Sequence, residues 1–214
     1  MEITWYGQTC FRLKTRGAIV ITDPCGKDSG YELPRMTAHI VTVSLDDPDY
    51  NNCGPVRGDA KVIDGPGEYE VRGVFVTGIA TEMKKAKKSD QRKNTIYLFD
   101  LEDGLTVCHL GNLDHVPSSQ SQIQALSDMD VLLIPVGGIK TINPNQAAEV
   151  IGLLEPKIVI PMHYKTKRVS RRLQAVSGLL NEMGIPDVAP QDSFEVSKSK
   201  LPSETQVVVL SYQE

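Results

Sequence analysis

A mixed α/β (α+β) fold, with two β-sheets packed together and helices outside, is what this sequence predicts. Three observations carry the prediction. The first half is a series of short strand-like runs separated by turn chemistry. From Ser118 onward, buried strands alternate with helical patterns. Two further strands close the chain, returning it to sheet.

The elements follow in order. Ile3 to Tyr6, Phe11 to Lys14, Ala18 to Thr22 and Ile40 to Ser44 read as strands, with Arg16-Gly17 and Asp23-Pro24 as turn signals between them. This opening predicts a β-meander. Lys61 to Asp64 continues the strands, and the alternating run Glu68 to Ile79 (EYEVRGVFVTGI) is broken by Gly73 into a hairpin. Thr95 to Leu101 and Leu105 to Leu110 flank Asp103-Gly104, a short-range hairpin signal. Ser118 to Leu126 predicts a short helix, and Val131 to Pro135 a buried strand. Asn143 is placed to cap a helix that has Pro144 at its first position and reaches Leu154. Lys157 to Pro161 is another buried strand, and a helix is expected from about Ser170 to Met183, ending at Gly184 before Pro186. Strands near Phe194 to Val196 and Gln206 to Tyr212 finish a single expected domain over residues 1–214.

With 214 residues, 40% of them hydrophobic and 23% charged, the chain has the composition of a soluble globular protein with one large core. Its apolar runs fall far short of the roughly 20 residues that span a membrane, and no leader opens it. A cytoplasmic protein without membrane contact is expected. Cys10, Cys25, Cys53 and Cys108 are isolated from one another, which predicts reduced thiols and argues against a thiolate zinc site. The net charge of −4 hides an asymmetry. Lys84 to Lys93 (KKAKKSDQRK) holds six bases against one acid, and Lys165 to Arg172 (KTKRVSRR) holds five against none.

Four predicted strand ends carry polar or glycine-rich sequence: Ser44-Leu45-Asp46-Asp47, Gly111-Asn112, Gly137-Gly138 and Met162-His163-Tyr164. Ligands gather beyond the carboxyl ends of strands in α/β sheets, so a pocket is expected there. The motifs WYGQTCFRL (Trp5–Leu13), TDP (Thr22–Pro24), SLDDPDYNN (Ser44–Asn52), DGPGEYEVRGV (Asp64–Val74), HLGN (His109–Asn112), LLIPVGG (Leu132–Gly138) and PMHYKT (Pro161–Thr166) run in order through nearly the whole chain. Together they resemble the metallo-β-lactamase superfamily, most closely its small bacterial Zn-dependent hydrolase-like branch. The resemblance implies a four-layer αββα sandwich with a metal site at one edge of its two sheets.

That family's His-x-His-x-Asp-His motif aligns with Leu45, Asp47, Asp49 and Tyr50, so only Asp49 matches. The family's bridging aspartate falls on Asn112, its N-terminal Gly-His on Gly7-Gln8, and a further histidine near Met83; His163 is retained. A catalytic zinc takes about three protein ligands besides water, and leucine has no lone pair. The resemblance therefore implies at most a remnant site of Asp49, His163 and Asp47. Its oxygen-rich donors suit a single divalent ion (Mn, Mg or Zn), while no cofactor is the primary expectation. Leu45, Asp46, Tyr50, Gln8, Asn112, His115 and Tyr164 are expected to line the pocket.

Simpler readings stand beside these. Asp46, Asp47 and Asp49 in Asp-Pro-Asp context also make a turn, His109 in an apolar run reads as structural, and a lysine-rich loop is ordinarily a solvated tip. Three close carboxylates nonetheless require something positive nearby. Both basic runs neighbour the old metal segments, so Lys84, Lys85, Lys87, Lys88 and Lys165 are candidates to bind an anionic small molecule. The expected function is a non-catalytic binding or regulatory pseudo-hydrolase. A single-metal ester, lactone or phosphodiester hydrolase is the alternative, and a homo-oligomer stays open. Nucleic acid is disfavoured because neither basic run contains an aromatic residue.

Overall fold

The computed structural model describes residues 1–84 and 93–213. β1 (Glu2–Trp5), β2 (Phe11–Lys14) and β3 (Ile19–Thr22) form the expected antiparallel meander. β4 (Met36–Thr37) is followed by β5 (Ile40–Thr42), which pairs in parallel with β3, so the meander expected to run through Ile40 to Ser44 ends at β3. β6 (Val56–Arg57) pairs with β4 in a small parallel sheet that sequence reasoning missed, because two-residue strands leave no periodic signal. β7 (Lys61–Ile63) lies parallel to β5 at the edge of the first large sheet.

The second large sheet begins with β8 (Gly67–Val71) and β9 (Val74–Thr81), joined through Arg72 (φ 54°) and Gly73 (φ 73°). Two consecutive left-handed residues make the tight hairpin predicted at Gly73. β10 (Asn94–Asp100) and β11 (Thr106–His109) form the hairpin at Asp103-Gly104. α1 (Gln120–Ala125), capped by Ser119, leads to β12 (Val131–Pro135). α2 (Pro144–Leu154) starts with a complete capping box between Asn143 and Gln146, with proline in its first turn. β13 (Ile158–Met162) follows, and β11, β12 and β13 run parallel. All five residues of β12 and of β13 are buried, as strands covered on both faces must be.

The helix expected from Ser170 shrinks to α3 (Val176–Glu182). Residues 165–174 are claimed by tertiary bonds instead: Lys165 N–H donates to Gln174 O (2.8 Å), and Gln174 N–H to Gly137 O (2.9 Å). β14 (Phe194–Glu195) pairs with β1. The run Gln206 to Tyr212 changes sheets. β15 (Gln206–Val207) joins β13, whereas Tyr212 bridges Trp5 and Gln213 N–H donates to Trp5 O (2.8 Å).

The sheets, ordered β14-β1-β2-β3-β5-β7 and β15-β13-β12-β11-β10-β9-β8, share one large core. Strand alternation divides the first sheet's side chains. Val20 and Ile40 join the core between the sheets, while Ile21 and Val41 join a second cluster with Cys10, Tyr31 and Leu33 on the opposite face. That outer face is covered by the small β4–β6 sheet and by irregular chain that includes a 3-10 turn at Lys27–Ser29, whereas α2 and α3 pack their apolar residues into the main core. No helix of the described residues is long and apolar enough to cross a membrane.

Tyr97 ties the two sheets together. Its hydroxyl lies 2.9 Å from Val43 O and 3.0 Å from Ile63 O, across the sheet interface. Tyr97→Phe leaves two buried carbonyls without that donor, so we expect a loss of about 1–3 kcal/mol in urea denaturation with the far-UV spectrum unchanged.

Candidate functional site

The loop after β5 starts from a buried anchor. Asp23, wholly buried at φ 39°, accepts the Ser44 backbone N–H (2.7 Å) and the Ser44 hydroxyl (2.6 Å) on its two oxygens. Burial raises the Asp23 carboxyl and lowers the imidazole of His109, 3.8 Å away; the Ser44 donors and His109 oppose the carboxyl's rise. His109 Nε2 also sits 2.9 Å from Thr9 O, which fits the structural role expected for this histidine. Ser44 O accepts the Thr95 N–H (2.8 Å), linking the end of β5 to β10.

From Ser44 the chain turns sharply, and its three carboxylates diverge in role. Asp47 accepts the Asp49 N–H on its side chain (3.1 Å), and its carbonyl accepts the N–H groups of Tyr50 and Asn51. Asp46, exposed, accepts Asn51 Nδ2 (3.0 Å). Both aspartates therefore build the turn that the simpler reading anticipated. Asp49 points inward, and Arg171 Nη2 donates to its Oδ2 at 2.5 Å. This guanidinium supplies the positive charge that the aspartate cluster called for. It comes from the second basic run but from a residue not singled out in the sequence; its only signal was a position eight residues beyond His163.

Tyr50 is buried and donates its hydroxyl to Asn112 Oδ1 (2.6 Å). Burial pushes its phenol far above the ordinary range, which disfavours a phenolate. The Asn112 N–H donates to Asn94 Oδ1 (2.7 Å), while its own buried Nδ2 has no hydrogen-bond partner. Gly111 (φ 58°) is required between them, since a Cβ there would lie 2.5 Å from both Asn94 Oδ1 and Ser44 Cβ. Leu45 is buried beside this network.

Gln8, at φ 48°, joins the first sheet to the second. Its amide donates to Asp49 O (3.2 Å), and its carbonyl accepts the His163 N–H (2.9 Å). His163 is itself left-handed (φ 52°) and buried, with Nδ1 3.5 Å from Thr141 Oγ1. Burial first, then the charges of Arg171 and Lys140, lowers its pKa to about 4, so the imidazole is neutral at pH 7. Gly137 allows the close approach of this loop: a Cβ there would meet His163 O at 2.1 Å. Gln8, Tyr31, His163, Tyr164 and Arg171 border a crevice of about 10 Å³, room for roughly one water.

The remaining expected residues are placed as follows. Tyr164 borders the crevice, but its hydroxyl donates to Leu210 O (3.3 Å) and its ring packs 5.0 Å from Trp5. His115 turns Nδ1 toward Asp114 Oδ1 (2.7 Å). The Lys165 ammonium donates to the carbonyls of Val169 and Arg171, holding its own loop in shape. Lys84 is exposed, and Lys85, Lys87 and Lys88 lie outside the described residues. Among the described residues no three His, Cys, Asp or Glu side chains converge as a metal ion would require.

Two mixed sheets sharing a core, with this polar cluster where the ends of β5, β11, β12 and β13 meet, define a metallo-β-lactamase-type protein. The chain belongs to that superfamily: the family described as β-lactamase superfamily domain matches residues 2–163. A Thermotoga maritima structure, whose name proposes a Zn-dependent hydrolase of the metallo-β-lactamase superfamily, is 37% identical with TM-score 0.79, covering 98% of this chain and 97% of that one. A protein of Nitratidesulfovibrio vulgaris named UPF0173 metal-dependent hydrolase is 28% identical over 232 residues, covering 93% of this chain and 97% of the relative. An isothiocyanate hydrolase from Delia radicum gut bacteria shares the fold at 12% identity and TM-score 0.72, over 92% of this chain and 99% of that one.

His163 makes stability depend on pH with a definite sign. Its folded pKa of about 4 lies below the unfolded value near 6.5, so the unfolded chain binds the proton more readily. Its contribution is complete above about pH 6.5 and is lost as pH falls toward 4, on the order of 3 kcal/mol in all. Denaturation at pH 7.5 and pH 4.5 should show a smaller acid-dependent loss for His163→Gln than for the natural chain.

Proposed function

We propose that this chain is a binding or regulatory member of the metallo-β-lactamase superfamily rather than a metal-dependent hydrolase. The observation that carries the reading is the Arg171–Asp49 pair. By the resemblance, Asp49 and His163 are ligands of the family's second metal, and here a guanidinium meets the Asp49 carboxylate. The other donors do not fit a metal. Leu45 offers no lone pair, the Tyr50 phenol is held protonated and spends its proton on Asn112 Oδ1, and that same oxygen is thereby engaged. A fixed Arg supplies one positive charge in a planar fork suited to a carboxylate, but it cannot acidify a water as a zinc ion does. The basic run that provides Arg171 favours an anionic small molecule as ligand.

A second reading takes support from the names of the relatives. The neutral imidazole of His163 is in the form that binds metals, so one divalent ion with Asp49 and His163 would require Arg171 to withdraw.

Elemental analysis after equilibration of metal-free protein with Zn²⁺, Mn²⁺ or Mg²⁺ separates the two. We expect well under one equivalent bound and no turnover of phosphodiester or lactone substrates. Two tightly held zinc ions with hydrolysis would sink the proposal, and one ion gained on Arg171→Ala would favour the second reading. Restoring donors in Leu45→His, Asp47→His, Tyr50→His and Asn112→Asp, combined with Arg171→Ala, should raise zinc affinity. Arg171→Ala alone should cost about 1–3 kcal/mol of stability, since it strands a largely buried carboxylate while its partner is partly solvated.

A further inference from the structure

The surface formed by α1, the loop before it and the outer side of α2 is almost without charge. Residues 115–127 and 141–154 leave 18 positions wholly or partly exposed, and Glu149 is the only Asp, Glu, Lys or Arg among them. Solvent-facing surface ordinarily carries roughly 25–35% of such residues, or about five in 18. The two stretches meet in one shallow groove, with Val116, Pro117 and Ile123 on one side and Gly152 and Leu153 on the other. Leu153 stands 40% exposed at its edge. Gly152 lies inside α2, where glycine is less favourable than alanine, yet a Cβ there would meet nothing within 4 Å. Packing within the chain therefore does not call for a glycine at this point.

We propose that this face joins two copies of the chain in a two-fold dimer, with Leu153 of each copy seated in the groove of the other, over Gly152. Loss of Lys, Glu and Asp marks the buried centre of protein interfaces. The 18 exposed or partly exposed positions fall just short of the roughly 20–30 residues a side of a standard interface. A two-fold contact needs a patch complementary to itself, and an exposed leucine beside an apolar groove supplies both the knob and the hole. Charge selects the same occupant. The chain carries a net charge of −4, so two copies repel in most orientations and approach at least cost through a face with one carboxylate each. The contact involves neither Asp49 nor Arg171, so it stands or falls independently of the preceding proposal.

Sedimentation equilibrium of the full chain from about 1 to 200 μM should show the mass rising from one chain toward two. Leu153→Glu and Ser118→Glu, both at exposed positions, place like charges against each other across the axis and should each raise the dissociation constant at least ~10-fold. Gly152→Ala separates a covered helix from a bare one. Its added methyl raises the thermal midpoint of the dilute monomer, yet should weaken the dimer about 5-fold where a second chain sits on the glycine. Val62→Lys, at an exposed apolar position on β7 at the edge of the first sheet, should leave the constant within about 2-fold. A single-chain mass across the whole range overturns the proposal, as does a constant unchanged in both Leu153→Glu and Ser118→Glu. A dimer broken by Val62→Lys but kept in Leu153→Glu places the contact elsewhere and overturns it too. An unchanged constant in Gly152→Ala overturns the seating of Leu153 over that glycine.

Discussion

The buried carboxylate of Asp23 is the constraint on which the candidate site depends. Asp23 follows β3 directly, at a positive φ that is uncommon outside glycine and that aspartate tolerates better than most residues. By accepting both the N–H and the hydroxyl of Ser44 it holds the exit of β5, and with it the direction in which Leu45 to Tyr50 leave the sheet. Ser44 O, Asn94 and Gly111 then lock that exit to the second sheet through contacts that admit no extra atom. A loop so held presents Asp49 and Tyr50 in one geometry, whatever charge lies opposite.

What lies opposite is a protein cation. An inward carboxylate at a sheet edge is costly unless compensated, and compensation by an ion or by a guanidinium are alternative solutions of the same electrostatic problem. The guanidinium solution requires a long side chain delivered from a distant segment. That requirement accounts for the irregular course of residues 165–174, which follow tertiary bonds to Gly137 and to their own Lys165 rather than extending α3. One stretch of basic sequence thus serves both loop shape and charge compensation.

Much of the fold was legible because its signals are local. The capping box at Asn143, the left-handed pair at Arg72-Gly73 and the wholly apolar runs of β12 and β13 each specify their element through neighbouring residues. The metal-loop resemblance pointed to Asp49, Tyr50, Gln8, Asn112 and His163, and the structure bonds Gln8 to Asp49 and His163, and Tyr50 to Asn112. Sequence periodicity failed where the deciding contacts are long-range. The start of α3, the two-residue strands β4 and β6, and the change of sheets after β15 all depend on partners far along the chain.

By itself the sequence determined which donors the site holds, since residue identity sets charge, lone pairs and backbone freedom before any folding. Only the tertiary structure decided that Arg171 faces Asp49, that Asp46 and Asp47 build the loop, and that Tyr50 donates to Asn112 Oδ1. Pairings of that kind join residues 122 and 62 positions apart. They are fixed by how two sheets pack, and packing is a property of the assembled core rather than of any segment within it.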